Sequence, residues 1–473
     1  MKKPDEQRLF PSRRQMLKSH ALGFGYLALA SLLADEARGE SSPSVLSRAP
    51  HFIPRAKRVV FLFMKGGPSH MDTFDYKPRL QRDHGKDLPF AKPRVQFAKT
   101  EKLLKSPWAF HPAGASGVPI SELFPHVARH ADDICFLNSV HGTNSAHGGA
   151  CLKLHTGSDN FVRPSLGSWI TYGLGTENRD LPAFITICPT LAHGGVNNWS
   201  SSFLPAHYQG TPLGVASQPA SAAKLRYASN PVFSKGLQRR QLDLLEDMNR
   251  EHLGVLGSSP LLEGRITSYE LAFRMQQAVP EAQDLSGETA LTRKLYGLDE
   301  KITSDFGRQC LLARRFLERG VRFVQVTHSD GKVQWDQHSD LLKGHQKNAK
   351  EVDLPIAGLL ADLKSRGLLD DTLVFWTTEF GRMPFGQNNS GRDHNGGTFV
   401  TWLGGAGIKS GQTYGESDPW GWRAASNPTS VHDLHATILH LLGINHKRLT
   451  YLHNGIYRRL TDVHGHVIKE ILT

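Results

Sequence analysis

Six short apolar runs, each bounded by turn residues, constrain this 473-residue chain more than any other feature; they lie at 59–64, 134–140, 181–187, 321–327, 372–377 and 399–403. The first, Val59-Val60-Phe61-Leu62-Phe63-Met64, is continuous and stops at Gly66-Gly67-Pro68. A strand with one wet face alternates apolar and polar residues, so runs without alternation need both faces covered. Helix-period segments separate several of them, as at 311–317 and 356–363. That alternation predicts an α/β fold, a doubly wound, mostly parallel sheet flanked by helices. Hydrophobic residues make up 39% of the chain, enough for a large core, which excludes disordered and collagen-like classes.

The N-terminal residues read as an address rather than a fold. Arg13-Arg14 precedes a weakly apolar stretch at 21–34 interrupted by Gly23 and Gly25, which resembles a twin-arginine export signal over residues 1–40. About fourteen such residues are too few to span a bilayer, and the mature chain is expected to carry no transmembrane segment and to be periplasmic or extracellular. A Ser/Pro-rich linker follows at 41–57, then an α/β domain at 58–446 with a polar helical insertion at about 205–300. The basic tail, 447–473, contains a candidate hairpin turn at His453-Asn454-Gly455. Cys135, Cys151, Cys188 and Cys310 form no CxxC pair, so neither a zinc ribbon nor a thioredoxin-type site is supported, and disulfides stay open. The net charge of +12 comes from scattered residues; without a clustered stripe it gives no sign of nucleic-acid binding.

Polar constellations fall just after the apolar runs. Open α/β sheets bind ligands outside the carboxyl ends of their strands, so five loops become candidates for one site. The loop after 59–64 supplies His70, Asp72 and Asp75, donors of the type divalent cations take, although Asp after a turn also caps helices. The loop after 134–140 places Ser145 near His147, which admits a nucleophile and its base; Asn144 and His147 equally suit a pocket lining. In Trp335-Asp336-Gln337-His338 an extended backbone would put Asp336 and His338 on one side, able to grip one ion; as a helix start, Asp336 would be a cap. Glu379 follows 372–377 at a buried strand end, where a carboxylate needs a cation or Arg382 as partner. Asp393-His394, between glycines, brings a ligand and an orienting acid, or simply a turn. Finally, Ser430 and Asp433 predict a capping box, Gly443 a helix stop, and His432 with His435 share a face that suits either an ion or packing.

The order GGPSHMDTFD, WDQH, TEFGR, GRDHNGGTF and VHDLHATILHLLG resembles the exported bacterial family catalogued as domain of unknown function 1501, a distant branch of the alkaline phosphatase and sulfatase superfamily, from Arg58 to the C-terminus. The resemblance implies a metal site at the strand ends that hydrolyses or transfers phosphate or sulfate esters. Asp336 and His338 look like its first-ion pair and His394 like the late histidine of that ion. Glu379-Phe380-Gly381 stands where the superfamily has Asp-His-Gly. Lys65-Gly66 replaces the Asp expected after the first strand, leaving Asp72 or Asp75 to substitute, and Asn144 replaces the Asp beside the phosphatase serine, here Ser145. These losses imply one ion, with Zn²⁺, Mn²⁺ or Ca²⁺ all compatible, and Arg382 or Lys65 offsetting developing negative charge. No Cys/Ser-x-Pro-x-Arg stretch exists, so a formylglycine-type sulfatase is not expected. The expectation is a metal-dependent hydrolase of a small-molecule or polysaccharide ester; the alternative is a non-catalytic binding or scaffold protein that keeps the fold.

Overall fold

A computed structural model of the chain describes residues 47–473 apart from 92–99, 227–229, 231, 258, 332–333 and 389; the expected Arg13-Arg14 leader and the first residues of the expected linker, 41–46, lie outside the described residues. All six apolar runs are strands of one nine-stranded sheet. These are β1 (Arg58–Met64), β2 (Ile134–His141), β3 (Phe184–Ile187), β5 (Phe323–His328), β6 (Thr372–Thr377) and β7 (Phe399–Gly405). Three short strands complete it: β4 (Thr211–Leu213), β8 (Gln412–Tyr414) and β9 (Thr429–Ser430). The order is β8-β2-β7-β6-β1-β5-β3-β4, with β9 also beside β2.

β1 lies in the middle, parallel to both neighbours. Val60, Leu62 and Met64 enter the core on one face, and Val59, Phe61 and Phe63 enter the core on the other. All six are at most 1% exposed, which is why the run needs no polar alternation; each such side chain contributes roughly 1.5–3 kcal/mol of burial. On the first face pack the helices Ser304–Glu318 and Leu341–Ser365, through Leu312, Phe316, Ile356 and Leu359. On the second pack Leu166–Leu174 and Val431–Leu441, through Trp169, Ile170, Leu434 and Ile438.

β7 is antiparallel to both β2 and β6, while every other pairing in the sheet is parallel. Phe399, at the start of β7, faces Val140 near the end of β2. The loop that enters β7 therefore emerges at the same edge as the loops that leave the other long strands. This reversal brings the His394 loop to the carboxyl edge.

The stretch expected to be a helical insertion, 205–300, begins with a 3-10 turn at Ala206–Tyr208 and a strand of the sheet, β4. The helices Lys235–Leu256 and Pro260–Gln283 follow. The tail hairpin pairs Tyr451–His453 with Ile456–Arg458, and Asn454 and Gly455 both take positive φ, 50° and 75°, as a tight hairpin turn requires. The four cysteines are buried and free. No described helix is long and apolar enough to cross a membrane.

Candidate metal centre

Asp336 is the hub of the carboxyl edge. Its segment lies directly over the end of β1, with the Trp335 amide donating to the Lys65 carbonyl at 3.1 Å. Gly66, at φ +118°, permits that approach, because a Cβ there would fall 2.5 Å from the Trp335 nitrogen and 2.8 Å from that of Asp336. Asp336 Oδ1 lies 2.7 Å from Arg382 Nη2 and 3.1 Å from Nε2 of both His338 and His394. Oδ2 lies 3.3 Å from His147 Nε2.

Each of the three imidazoles is held from behind. His147 Nδ1 is 2.7 Å from Glu379 Oε1, His338 Nδ1 is 2.6 Å from Gln387 Oε1, and His394 Nδ1 is 2.7 Å from the Ser145 carbonyl. An acceptor at Nδ1 places a proton there and leaves Nε2 facing Asp336, able to donate to its carboxylate when protonated or to bind a cation when not. The histidine, carboxylate and backed-up Nδ1 arrangement is the one metal sites use to fix a ligand's tautomer. His147, Asp336 and His394 each offer a ligand atom within 4.8 Å of one another, and a second trio of His338, Asp393 and His394 adjoins it.

The electrostatics agree with a carboxylate pair kept ionised. Burial pushes Asp336 up, yet hydrogen bonds from His147, His338 and His394 and the Arg382 charge outweigh it and hold its carboxyl far below the usual range. Glu379 is likewise raised by burial but drawn down to about 2 by His147 and the Gly66 amide. Burial lowers His147, and its bonds to Asp336 and Glu379 reverse this to a net rise. His394 is pulled down to about 4, chiefly by burial.

Other expected site residues are placed elsewhere. Asp72, expected as an ion ligand, is paired instead with Arg392, whose Nε lies at 2.7 Å and Nη2 at 3.2 Å, both side chains fully buried. Arg382 is not poised for substrate. It is fully buried, donates to the carbonyls of Gly67, Arg392 and Trp335, and pairs with Asp336, not Glu379. Ser145 Oγ accepts the Gly396 amide at 3.0 Å, and it is the Ser145 carbonyl, not the hydroxyl, that meets His394. Asp75 pairs with Lys77 and accepts from Ser417, and His70 Nε2 meets the Gly421 carbonyl. Asn144 accepts the Ala146 amide in a turn. Asp393 accepts the His394 amide and lies 3.9 Å from His338 Nδ1. His432 and His435 donate to the Gly157 and Leu154 carbonyls, so they pack the helix and do not line the centre. Lys65 Nζ donates to the Ala192 carbonyl at 3.0 Å.

Two groups at the centre had no sequence signal. Gln387 lies in a polar loop where nothing marks it. His193 follows β3 in a left-handed backbone conformation, φ 54°, and stacks on His147 with ring centroids 4.8 Å apart.

A family model described as "Protein of unknown function (DUF1501)" matches residues 56–472. A search of curated proteins returned no match. Among solved structures, the chain is similar to Ps i-CgsB at 12% identity and TM-score 0.38, covering 82% of this chain and 72% of that one. It is similar to the PsFucS1 sulfatase from Pseudoalteromonas sp. at 14% identity and TM-score 0.35, covering 89% and 71%. The C-terminal periplasmic domain of EcEptC from Escherichia coli, solved in complex with Zn, is similar at 9% identity and TM-score 0.35, covering 85% and 87%.

Proposed function

The chain belongs to the DUF1501 family, and from its carboxyl-edge centre we propose that it is an exported, metal-dependent hydrolase of a phosphate, sulfate or related ester. The observation that carries this reading is the convergence of three imidazole Nε2 atoms on one ionised carboxylate, each ring fixed at Nδ1 by a separate acceptor.

The donor set fits a cation. His147 Nε2 is buried and stands 3.3 Å from Asp336 Oδ2, a poorly aligned contact that a bound ion would replace. A tetrahedral ion with bonds of about 2.0–2.1 Å holds its ligand atoms roughly 3.3 Å apart. Asp336 Oδ1 and the His394 and His338 Nε2 atoms are separated by 3.1, 3.1 and 2.9 Å. Imidazole-rich donors suit Zn²⁺ best; Mn²⁺ leans toward oxygen donors, and Ca²⁺ asks for oxygen throughout.

Asp336, His394, His338 and His147 would hold the ion. When bound, it supplies Lewis acidity that polarises an ester oxygen and acidifies water. Arg382 keeps Asp336 ionised and aimed, Glu379 orients His147, and Gln387 orients His338. The net charge of +12 favours encounter with an anionic ester, whether a small molecule or a polysaccharide. Export through the twin-arginine pathway, suggested by Arg13-Arg14, would deliver the protein already folded.

The test is elemental analysis of the purified chain together with turnover of nitrophenyl phosphate, phosphonate and sulfate esters. Bound Zn or Mn and hydrolysis, both lost in Asp336→Ala, support the reading. A chain that holds its ion and cleaves no ester supports the non-catalytic alternative, which the presence of Lys65 at the expected position of an acid favours.

A further inference from the structure

The helix Lys235–Leu256 carries two apolar stripes, and only one is used. Its inner side, with Leu242, Glu246, Asn249 and Leu253 half-buried, packs on the helix Pro260–Gln283. Arg239 ties the two helices together by bonding Glu270 at 2.9 and 2.5 Å, with its guanidinium over the Phe273 ring. At about 100° per residue, Leu237, Leu244 and Met248 form a second stripe roughly 150° away, with Leu245 beside it. These four are 42%, 62%, 58% and 43% exposed, and no described residue of the helix is buried. Interrupted only by Arg240 and Gln241 between Leu237 and Leu244, an exposed apolar stripe of this kind on a surface helix marks an interaction site.

The flanking charges say what covers it. Arg240 and Glu251 are exposed and make no ion pair among the described residues. Eleven residues is about three turns, so both line the same edge of the stripe. Asp247 lies between them on that edge, which makes the flank mixed in sign and unsuited to an anionic membrane surface, where a cationic face is needed. We propose that the stripe is a self-complementary contact with a second copy of this chain, the two helices antiparallel about a two-fold axis between Leu245 and Glu246. In that register Arg240 opposes the partner's Glu251, and by symmetry Glu251 opposes the partner's Arg240. The partner's Leu244 falls at a level between this copy's Leu244 and Met248, so the apolar side chains interleave. In this register Leu237 lies level with the partner's Gly254, so the apolar overlap is confined to Leu244, Leu245 and Met248 of each copy, about 7.5 Å along the helix, and the contact is weak and reversible.

Sedimentation equilibrium of the purified chain between about 1 and about 200 µM tests this. A reversible monomer–dimer equilibrium is expected, with Leu244→Glu raising Kd at least about 100-fold and Arg240→Glu raising it about tenfold. The charge swap, Arg240→Glu with Glu251→Arg, should return Kd to within about threefold of the unsubstituted chain. Circular dichroism confirms that each variant is folded, and if Leu244→Glu is not, the swap decides. A chain that stays monomeric throughout, a dimer indifferent to Leu244→Glu, or a swap that fails to restore association overturns the proposal.

Discussion

His338 and His394 aim their Nε2 atoms at each other across 2.9 Å, and Asp336 Oδ1 lies 3.1 Å from each. With both Nδ1 atoms committed to acceptors, this geometry needs either a shared proton or a cation. A divalent ion that binds only the folded state adds about 2.7 kcal/mol at a free concentration 100 times its Kd. Zn²⁺ or Mn²⁺ should therefore raise the melting temperature of chelator-treated protein by several degrees, and Ca²⁺ should not. Scanning calorimetry with each metal checks this; equal stabilisation by Ca²⁺ would sink the nitrogen-rich assignment.

Glu379 would act on a bound ion through His147. Its carboxylate accepts from His147, from the Gly66 amide at 2.9 and 3.1 Å, and from the Thr378 hydroxyl at 2.9 Å. Glu379→Gln keeps the shape but removes the charge that sharpens the donor ring. Outer partners of this kind typically change metal affinity 10–100-fold. Competition with a chromogenic chelator should show a loss in that range while the site still fills at saturation. An affinity equal to that of the unsubstituted chain would mean that His147 is not a ligand.

Asp72 and Arg392 neutralise one another in full burial. Removing one partner of such a pair leaves an uncompensated charge and costs about 3–5 kcal/mol. Asp72→Ala should lower unfolding stability by that amount in urea titrations and leave the bound-metal stoichiometry of the folded fraction unchanged. Loss of the ion with no loss of stability would return Asp72 to the ligand set.

The strands were legible because β1, β2, β3, β5, β6 and β7 are buried on both faces, which leaves mostly apolar runs broken by only a few polar residues such as Asn138, Ser139 and Gln325. The convergence of Asp336, His338, Glu379 and His394 followed from strand ends alone, once β7 is seen to be reversed. What spacing could not reveal is which charge takes which partner. Arg382 sits three residues from Glu379 yet pairs with Asp336, and Asp72 finds Arg392, 320 positions away. His193 was invisible for a related reason: a left-handed turn after β3, not a motif, lays its ring on His147.

Acidification should unfold the protein through two buried histidines that are not part of the His147–Asp336–His394 cluster. His435 donates from Nε2 to the Leu154 carbonyl at 2.7 Å, and its Nδ1 is buried without a partner. His345 accepts the Ser69 amide at Nε2, 2.9 Å away, and its Nδ1 is also buried without a partner. Burial pulls both down to about 3, so neither can take a proton without breaking a bond or burying a charge. In the unfolded chain each titrates near 6.5. Between about 6.5 and about 3 the unfolded state binds protons that the folded state refuses, so stability is full above pH 6.5 and falls as pH drops, by up to about 1.4 kcal/mol per pH unit for each histidine. Unfolding free energies from urea titrations at pH 7, 6, 5 and 4.5 should decline with that slope. His435→Gln, whose amide can still donate to Leu154, should flatten it by close to one proton. A slope unchanged by His435→Gln would show that this ring titrates freely and that its burial does not govern acid stability.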